Sequence, residues 1–317
     1  MNLNVVLPIL ISFVITVLLS PFIIRYLQKL KFGQFVRDDG PESHLSKAGT
    51  PTMGGVIILL AFTITSLIYV KDHKEIIPVL FATLGFGLVG FLDDYIKIVM
   101  KRSMGLKAWQ KMLGQILVTG VLVFYLINYT EVGTEFIIPF SGGKTWDVGS
   151  WFIPIIFFVV LGTVNGANFT DGLDGLASSV TVLISVFLTV VAVAFDSGLE
   201  PVTCAATGAL LGFLLFNVYP ARVFMGDTGS LALGGFVVSV AIVLRMPLFI
   251  PIVACIYLVE VLSVIIQVTY YKKTKKRIFK MTPIHHHFEL SGWPETRVVS
   301  IFSIITAVLC FIGLAAI

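Results

Sequence analysis

The chain has 317 residues, of which 57% are hydrophobic and 13% are charged, and its mean hydropathy is +0.97. In soluble domains roughly a quarter of the residues are charged, so this composition excludes a soluble globular protein and indicates a polytopic membrane protein. The formal net charge of +4 is of the size that cationic flanks of membrane spans produce, and it does not indicate binding of nucleic acid.

Ten apolar stretches follow one another along the chain, and each is predicted to cross the bilayer, which takes about 20 residues. They cover residues 3–24, 53–70, 76–99, 109–128, 151–169, 176–195, 202–218, 230–245, 248–271 and 298–316. No internal repeat or low-complexity linker divides them. The predicted fold is therefore an all-α polytopic membrane protein with about ten transmembrane helices, organised as a single integral-membrane domain over residues 1–317.

The residues that carry chemistry lie in every second gap between the spans. These gaps cover residues 25–52, 93–111, 168–175, 217–230 and 272–297, and they hold all but four of the 22 Lys and Arg residues. Cytoplasmic flanks are enriched in Lys and Arg, so this face is predicted to be cytoplasmic and both termini to lie outside. On the opposite side, residues 129–150 alternate polar and apolar side chains around Ser141-Gly142-Gly143, a pattern compatible with a small exterior β-hairpin.

The third span ends in two adjacent carboxylates, Asp93 and Asp94, with Lys97 one helical turn further along. Adjacent carboxylates repel each other unless they share a cation or a proton, and acids near a helix C-terminus oppose the helix dipole. A solvated helix end is the plain alternative. The unfavourable placement favours a function such as metal binding or proton transfer.

The gap after the fifth span reads Asn168-Phe169-Thr170-Asp171-Gly172-Leu173-Asp174-Gly175. It spaces an amide and two carboxylates at steps of three, and its glycines allow the backbone to approach a ligand closely. Asp174 could instead simply cap the sixth span. Capping would leave Asp171 and Asn168 without an explanation, so a ligand site is favoured.

The gap before the eighth span repeats this design. Asp227 could cap that span beside Ser230, but Asn217, Arg222 and Phe224 add an amide, a cation and a stacking ring to the same short loop. This combination favours a ligand site over a plain cap.

Three consecutive histidines, His285, His286 and His287, lie within Pro283–Glu289 and follow a basic run over residues 272–280. They lack the spacing of zinc ligands and have no neighbouring Cys, so phosphate contact or proton transfer is favoured over a zinc site. The basic run is also typical of a flank that touches anionic lipid. Residues 37–55, with their Gly and Pro punctuation, indicate a structured cytoplasmic loop.

Carboxylates, amides, lysines and histidines collected on one membrane face suit a phosphorylated substrate with Mg²⁺, because Mg²⁺ prefers one or two carboxylates plus phosphate oxygens. The membrane setting indicates that a second substrate is a lipid.

In these five loops, taken in order along essentially the whole chain, the sequence resembles the polyprenyl-phosphate N-acetylhexosamine-1-phosphate transferase superfamily. The acidic motifs are shared across the superfamily, whereas Pro283–Glu289 resembles its peptidoglycan branch, the phospho-N-acetylmuramoyl-pentapeptide transferases. The resemblance implies a multi-pass protein of the bacterial cell membrane that frequently forms homodimers and depends on Mg²⁺. It also implies transfer of phospho-MurNAc-pentapeptide from UDP-MurNAc-pentapeptide to undecaprenyl phosphate, giving lipid I and UMP in peptidoglycan synthesis.

The resemblance assigns roles to individual residues. Asp227 is the expected Mg²⁺ ligand, and Asp93 is expected to take the proton from the lipid phosphate or to orient it, supported by Asp94. With His285, these form the expected catalytic set. The residues expected to hold uridine and diphosphate are Lys47, Thr52, Asn168, Asp171, Asp174, Asn217 and Phe224, and those expected at the sugar–phosphate part are Lys111, His285, His286 and His287.

Three alternatives stay open at the level of sequence. Transfer can be one displacement or pass through a covalent aspartyl-phosphate. The protein can be the sister enzyme that transfers GlcNAc-1-phosphate from UDP-GlcNAc to undecaprenyl phosphate. It can also be an ion-coupled transporter, whose ionisable residues lie at mid-bilayer in broken helices, although Glu260 is the one such residue that the sequence places deep in a span.

Overall fold

A computed structural model describes residues 3–29, 47, 49–100 and 105–317. The predicted loop at residues 37–46 and the cations Lys31, Lys101 and Arg102 lie outside this part of the chain. The helices are α1 (Leu3–Lys29), α2 (Gly55–Tyr69), α3 (Ile76–Val99), α4 (Ala108–Tyr129), α5 (Phe152–Thr170), α6 (Leu176–Ala194), α7 (Glu200–Asn217), α8 (Gly226–Val243), α9 (Ile250–Val253), α10 (Cys255–Thr274), α11 (Ile284–Glu289) and α12 (Glu295–Ala315). The strands are β1 (Glu135–Ile137) and β2 (Thr145–Asp147).

Within the described ranges, nine helices are long and apolar enough to span a membrane: α1, α3, α4, α5, α6, α7, α8, α10 and α12. The prediction of an all-α polytopic membrane protein is confirmed. The remaining predicted span, the second in chain order at residues 53–70, is shorter than expected. It forms the 15-residue helix α2, which extends only about 22 Å against a hydrocarbon core of about 30 Å.

Two local features explain where the predicted span boundaries were wrong. The segment before α2 pairs with another loop instead of joining the helix, since the Gly54 N–H donates to the Phe224 carbonyl at 2.8 Å. The predicted span at residues 248–271 is interrupted, because the short helix α9 ends at Val253 and α10 begins only at Cys255.

Helix α8 is the packing centre of the molecule, and small residues let its neighbours approach it closely. A Cβ on Gly90 of α3 would lie 2.0 Å from the Asp227 carbonyl oxygen, and one on Gly55 of α2 would lie 2.1 Å from the Gly229 nitrogen of α8. Membrane helices commonly use small residues at such crossings. The result is that the end of α3 lies directly against the beginning of α8.

Helix α1 packs on α7 through a stripe of small polar residues. Ser12, Thr16 and Ser20 are fully buried, and the Ser12 hydroxyl donates to the Ala205 carbonyl at 2.6 Å. The stripe recurs every four residues and therefore lies on one face of α1. Large apolar side chains such as Phe22 remain exposed on the helix, as expected of a surface in contact with lipid.

The hairpin predicted between α4 and α5 is present. Strands β1 and β2 are antiparallel, with Phe136 opposite Trp146. The hairpin covers the ends of α8 and α12, since Ile137 N–H donates to the Arg245 carbonyl and Phe140 N–H to the Ala316 carbonyl, each at 2.8 Å. These are the helix ends opposite to those that carry the polar motifs.

Candidate active site

Three carboxylates meet where the end of α3 touches the beginning of α8. Oxygen atoms of Asp93, Asp94 and Asp227 lie within 4.8 Å of one another. The Lys97 ammonium lies among them, with Nζ 2.6 Å from Asp93 Oδ2, 2.8 Å from Asp227 Oδ2 and 3.7 Å from Asp94 Oδ1. The other oxygen of Asp93 accepts the Leu106 N–H at 2.8 Å. The close packing of two helices thus concentrates negative charge at one point.

Side chains of α4 and α5 complete the surroundings of Asp227. Lys111 Nζ lies 3.1 Å from Asp227 Oδ2 and 3.0 Å from Asn168 Oδ1. The Asn168 amide in turn donates to Asp227 Oδ1 and to the Ser230 hydroxyl, each at 2.8 Å. Asp227 therefore faces the side chains of three other helices instead of serving as a plain cap of α8. Three carboxylates and two ammonium groups leave the cluster with one net negative formal charge.

The capping of α8 falls to Asp94, which the sequence did not reveal. Asp94 Oδ2 accepts the Thr228 N–H at 2.9 Å and the Thr228 hydroxyl at 2.7 Å, and Oδ1 accepts the Asp227 N–H at 3.2 Å. A carboxylate at a helix N-terminus satisfies free N–H groups and matches the helix dipole. Gly226 permits this approach, because its φ is +73° and a Cβ there would lie 2.7 Å from Asp94 Oδ2. Asp94 thereby fixes the position of its neighbour Asp227.

A second charged group joins Lys47 to the loop between α5 and α6. Lys47 Nζ lies 2.6 Å from Asp174 Oδ1 and 2.6 Å from Glu295 Oε1, and Asp174 Oδ2 accepts the Ala221 N–H at 2.8 Å. Asp174 thus bridges loops and does not cap α6. Burial alone would lower the pKa of Lys47, but its hydrogen bonds to Asp174 and Glu295 outweigh that effect and raise it.

Glu295 was missed by the sequence analysis. Glu295 is the first residue of α12 and follows Pro294. An acid is ordinary at this position because it matches the helix dipole. No local pattern distinguishes such an acid from one that binds a lysine 248 residues away.

Asp171 lies between the two charged groups. Burial, and after it the negative charges of Asp227 and Asp94, raise the pKa of Asp171 well above its usual range, while the backbone N–H of Gly226 opposes the shift. A carboxyl group that holds its proton unusually well therefore lies beside the acidic cluster.

Asn217, Phe224 and Thr52 lie in or beside the loop that precedes α8. The Asn217 amide donates to the Val223 carbonyl at 3.0 Å, and its oxygen accepts the Ser178 hydroxyl at 2.8 Å. The Phe224 N–H donates to the Pro51 carbonyl at 2.8 Å, which brings Thr52 beside this loop. The Phe224 side chain is half-buried.

The three histidines lie on the short helix α11, and each contacts a protein partner. His285 is fully buried, with Nδ1 3.0 Å from Glu260 Oε1. His286 Nδ1 lies 2.8 Å from Glu289 Oε2, and His287 Nδ1 accepts the Lys280 N–H at 3.1 Å. In the described part of the chain, the acidic trio is the one group of side chains with metal-ligand spacing, and the histidines do not form one.

Comparison with known proteins decides the family. Residues 76–245 match glycosyl transferase family 4, and residues 47–59 match signature 1 of the phospho-N-acetylmuramoyl-pentapeptide-transferases. The phospho-N-acetylmuramoyl-pentapeptide-transferase of Clostridium kluyveri is 52% identical over 96% of both chains. The protein of that name from Clostridioides difficile strain 630 is 51% identical, over 97% of this chain and 96% of its own. The chain belongs to the phospho-N-acetylmuramoyl-pentapeptide transferase family.

Membership in this family makes the chain a phosphoglycosyl transferase of peptidoglycan biosynthesis, with a nucleotide sugar and a lipid carrier as its classes of substrate. The nine apolar helices among the described residues make it a multi-pass membrane protein. The structure brings Asp93, Asp94, Asp227, Lys111 and Asn168 into one contact network. Lys47 and Asp174 form a second network, and Asp171 lies between the two.

Proposed function

We propose that the enzyme transfers phospho-MurNAc-pentapeptide from UDP-MurNAc-pentapeptide to undecaprenyl phosphate, with lipid I and UMP as products. A lipid phosphate oxygen attacks the sugar-side phosphorus of the diphosphate, the bond to the UMP oxygen breaks, and UMP leaves. One observation carries this assignment beyond the family: the convergence of Asp93, Asp94 and Asp227 with two lysines at the ends of membrane helices. Two anionic substrates can meet there only if the protein offsets their repulsion.

The acidic cluster fits Mg²⁺, because its ligand atoms are all carboxylate oxygens and lie within 4.8 Å of one another. Asp227, together with Asp93, would hold the ion, since the oxygens of Asp94 are already engaged by the N-terminus of α8. When bound, Mg²⁺ would supply positive charge against the two phosphate groups. Lys97 offsets part of the negative charge of the same two carboxylates.

The chain's own residues position the substrates and offset their charge. Lys111 and Asn168 orient Asp227, and Lys97 and Lys111 place positive charge where the diphosphate would lie. Asp93 orients the lipid phosphate or accepts its proton. Asp94 acts by fixing the beginning of α8.

The remaining predicted residues would bind the nucleotide sugar. The group that would hold uridine and diphosphate consists of Lys47, Thr52, Asn168, Asp171, Asp174, Asn217 and Phe224, and the group at the sugar–phosphate part consists of Lys111, His286 and His287. His285 is enclosed by protein, so we assign it a supporting position and do not place it at the reacting phosphorus.

The active-site face is proposed to be cytoplasmic, with both termini outside, because 18 of the 22 cations, all except Lys71, Lys74, Lys144 and Arg245, lie in the gaps on that face. We also propose that residues 1–317 form a single integral-membrane domain and that the enzyme works as a homodimer in the bacterial cell membrane, as the family resemblance implies.

Release of UMP from UDP-MurNAc-pentapeptide tests the proposal on the purified full-length chain in detergent. We expect release that requires both undecaprenyl phosphate and Mg²⁺. Release without the lipid would favour the covalent route through an aspartyl-phosphate. Absence of release under all conditions, with UDP-GlcNAc active instead, would identify the sister enzyme.

The transporter alternative has lost its structural support. It depended on Glu260 as an ionisable group at mid-bilayer, and both oxygens of Glu260 are bound to α11.

A further inference from the structure

Two buried polar residues on α10, Glu260 and Gln267, form hydrogen bonds with the segment that runs from α10 into α11. Glu260 accepts the Ile284 N–H at 2.8 Å through Oε2 and lies 3.0 Å from His285 Nδ1 through Oε1. Two helical turns further along, Gln267 accepts the N–H groups of Ile278 and Phe279 at 2.9 and 3.1 Å and donates to the Phe279 carbonyl. Gln267 contacts backbone alone, whereas Glu260 also contacts an imidazole.

The far nitrogen of that imidazole is enclosed. In the part of the chain that the structure describes, His285 Nε2 is buried and has no hydrogen-bond partner. It faces Gly172 of the loop between α5 and α6, where an added Cβ would lie 2.1 Å from Nε2. Burying a polar atom without a hydrogen-bond partner is unfavourable, so the close packing of Gly172 on this nitrogen needs a physical reason.

Contacts at both ring nitrogens favour the same tautomer. At Nδ1, the Glu260 carboxylate, which already accepts the Ile284 N–H, is placed to accept a second hydrogen bond from an N–H at Nδ1. At Nε2, the Gly172 hydrogen that replaces a Cβ points toward the ring, so a proton on Nε2 would collide with it. A bare lone pair on Nε2 lets the loop pack this closely.

We propose that Glu260 is a positioning residue for the transfer reaction. By keeping the proton of His285 on Nδ1, it leaves Nε2 bare, and the 171–175 loop packs against that bare nitrogen. The loop carries Asp174, which forms an ion pair with Lys47, and Asp171, which lies beside the acidic cluster. This inference rests on the proposed function for its kinetic consequence, but its structural part can be measured without turnover.

The Glu260→Gln variant tests the proposal because it keeps the shape of the side chain and reverses the direction of the hydrogen bond at Nδ1. Its amide oxygen can still accept the Ile284 N–H, and its amide nitrogen then donates to Nδ1, so the proton of His285 must move to Nε2. We expect the loop to be pushed away and kcat/KM for the nucleotide sugar to fall by about 10–100-fold, by analogy with the loss seen when the carboxylate partner of a metal-ligating histidine is removed. Most of the loss should appear in KM.

Nitrogen-15 NMR of the full-length chain labelled at its five histidines measures the tautomer directly, with His285→Ala assigning the signal. We expect protonation at Nδ1 in the native protein and at Nε2 in Glu260→Gln. In a His285→Ala background, Glu260→Gln should cause no further loss of kcat/KM, because Glu260 acts through the ring.

Gln267→Glu provides a matched control, since it is the reverse exchange on the same helix and the same returning segment. It should lower thermal stability while leaving the His285 tautomer unchanged. An unchanged tautomer in Glu260→Gln, or losses that multiply in the double variant, would overturn the proposal. If native protein instead releases no UMP from UDP-MurNAc-pentapeptide, the proposed function fails while the tautomer comparison still decides the role of Glu260 at His285.

Discussion

Replacing Asp227 by Asn separates a chemical role from a structural one. Asp227 Oδ2 lies 2.8 Å from Lys97 Nζ and 3.1 Å from Lys111 Nζ, and Oδ1 accepts the Asn168 amide at 2.8 Å. Asparagine keeps the volume and one acceptor oxygen but removes the charge. The N-terminus of α8 keeps its cap in the variant, because Asp94 provides it.

The magnitudes follow from these contacts. Losing an electrostatic stabiliser of the transition state should reduce turnover by about 10²–10³-fold, or roughly 2.7–4 kcal/mol. The free energy of unfolding should fall by less than the 3–5 kcal/mol typical of a stranded buried charge. The reason is that Lys97 keeps Asp93 at 2.6 Å and Lys111 keeps the Asn168 oxygen at 3.0 Å. Asp94→Ala, by contrast, removes the helix cap and should cost about 0.5–2 kcal/mol of stability.

The assay combines UMP release at saturating substrates with thermal unfolding in detergent. Asp72→Asn is the matched control, because it makes the same exchange at an exposed carboxylate on the opposite helix ends, and it should leave both quantities unchanged. Near-native turnover of Asp227→Asn would show that the carboxylate is structural. A loss of about 3–5 kcal/mol of stability in Asp227→Asn, the size typical of a stranded buried charge, would contradict the expected division of roles between Asp227 and Asp94.

Four further outcomes follow from the same contacts. Lys47→Met should raise KM for the nucleotide sugar several-fold, because Asp174 and Glu295 lose the cation between them; an unchanged KM would exclude Lys47 from the binding site. Because the folded state raises the pKa of Asp171, its ionisation opposes folding as the pH rises above about 3.9, so Asp171→Asn should raise the melting temperature at pH 7 and this gain should vanish near pH 4. Excess EDTA should stop UMP release without changing the melting temperature, since Lys97 and Lys111 already offset most of the negative charge of the acidic cluster, and a large thermal shift would indicate a structural ion. Single Cys residues at Ser141 and at exposed Lys276, in a chain whose three native cysteines are replaced, should be labelled from outside and from the cytoplasm respectively; the reverse pattern would invert the proposed topology.

Much of the fold could be predicted because a bilayer leaves few choices. A chain that must satisfy every backbone group in lipid forms helices, so apolar runs predict spans directly. The exceptions arose where loops compete with helices. The start of the predicted second span pairs with Phe224 and Met225, and Pro251 lies in the short helix α9, just before the predicted ninth span is interrupted. Such contacts between distant loops leave no trace in local hydropathy.

The site was predictable in its composition but not in its internal roles. Motif positions predicted that Asp93, Asp94 and Asp227 would lie on one face. The division of labour between Asp94, which caps α8, and Asp227, which faces the lysines, depends on how closely α3 and α8 cross. Glu295 and Glu260 were not assigned to the site because each acts on a residue far along the chain or on another helix.

The same close crossing explains why the acidic residues tolerate one another. Bringing α3 against α8 at Gly90 places the Asp94 carboxylate on free N–H groups of α8, which stabilise its charge. That contact in turn holds Asp227 beside Asp93, where two lysines and Asn168 offset the remaining repulsion. The repulsion between the carboxylates is thus balanced by groups from four helices, and the balance leaves one net negative formal charge. A site in this state attracts a divalent cation, and with the cation bound it would carry a net positive charge suited to a diphosphate.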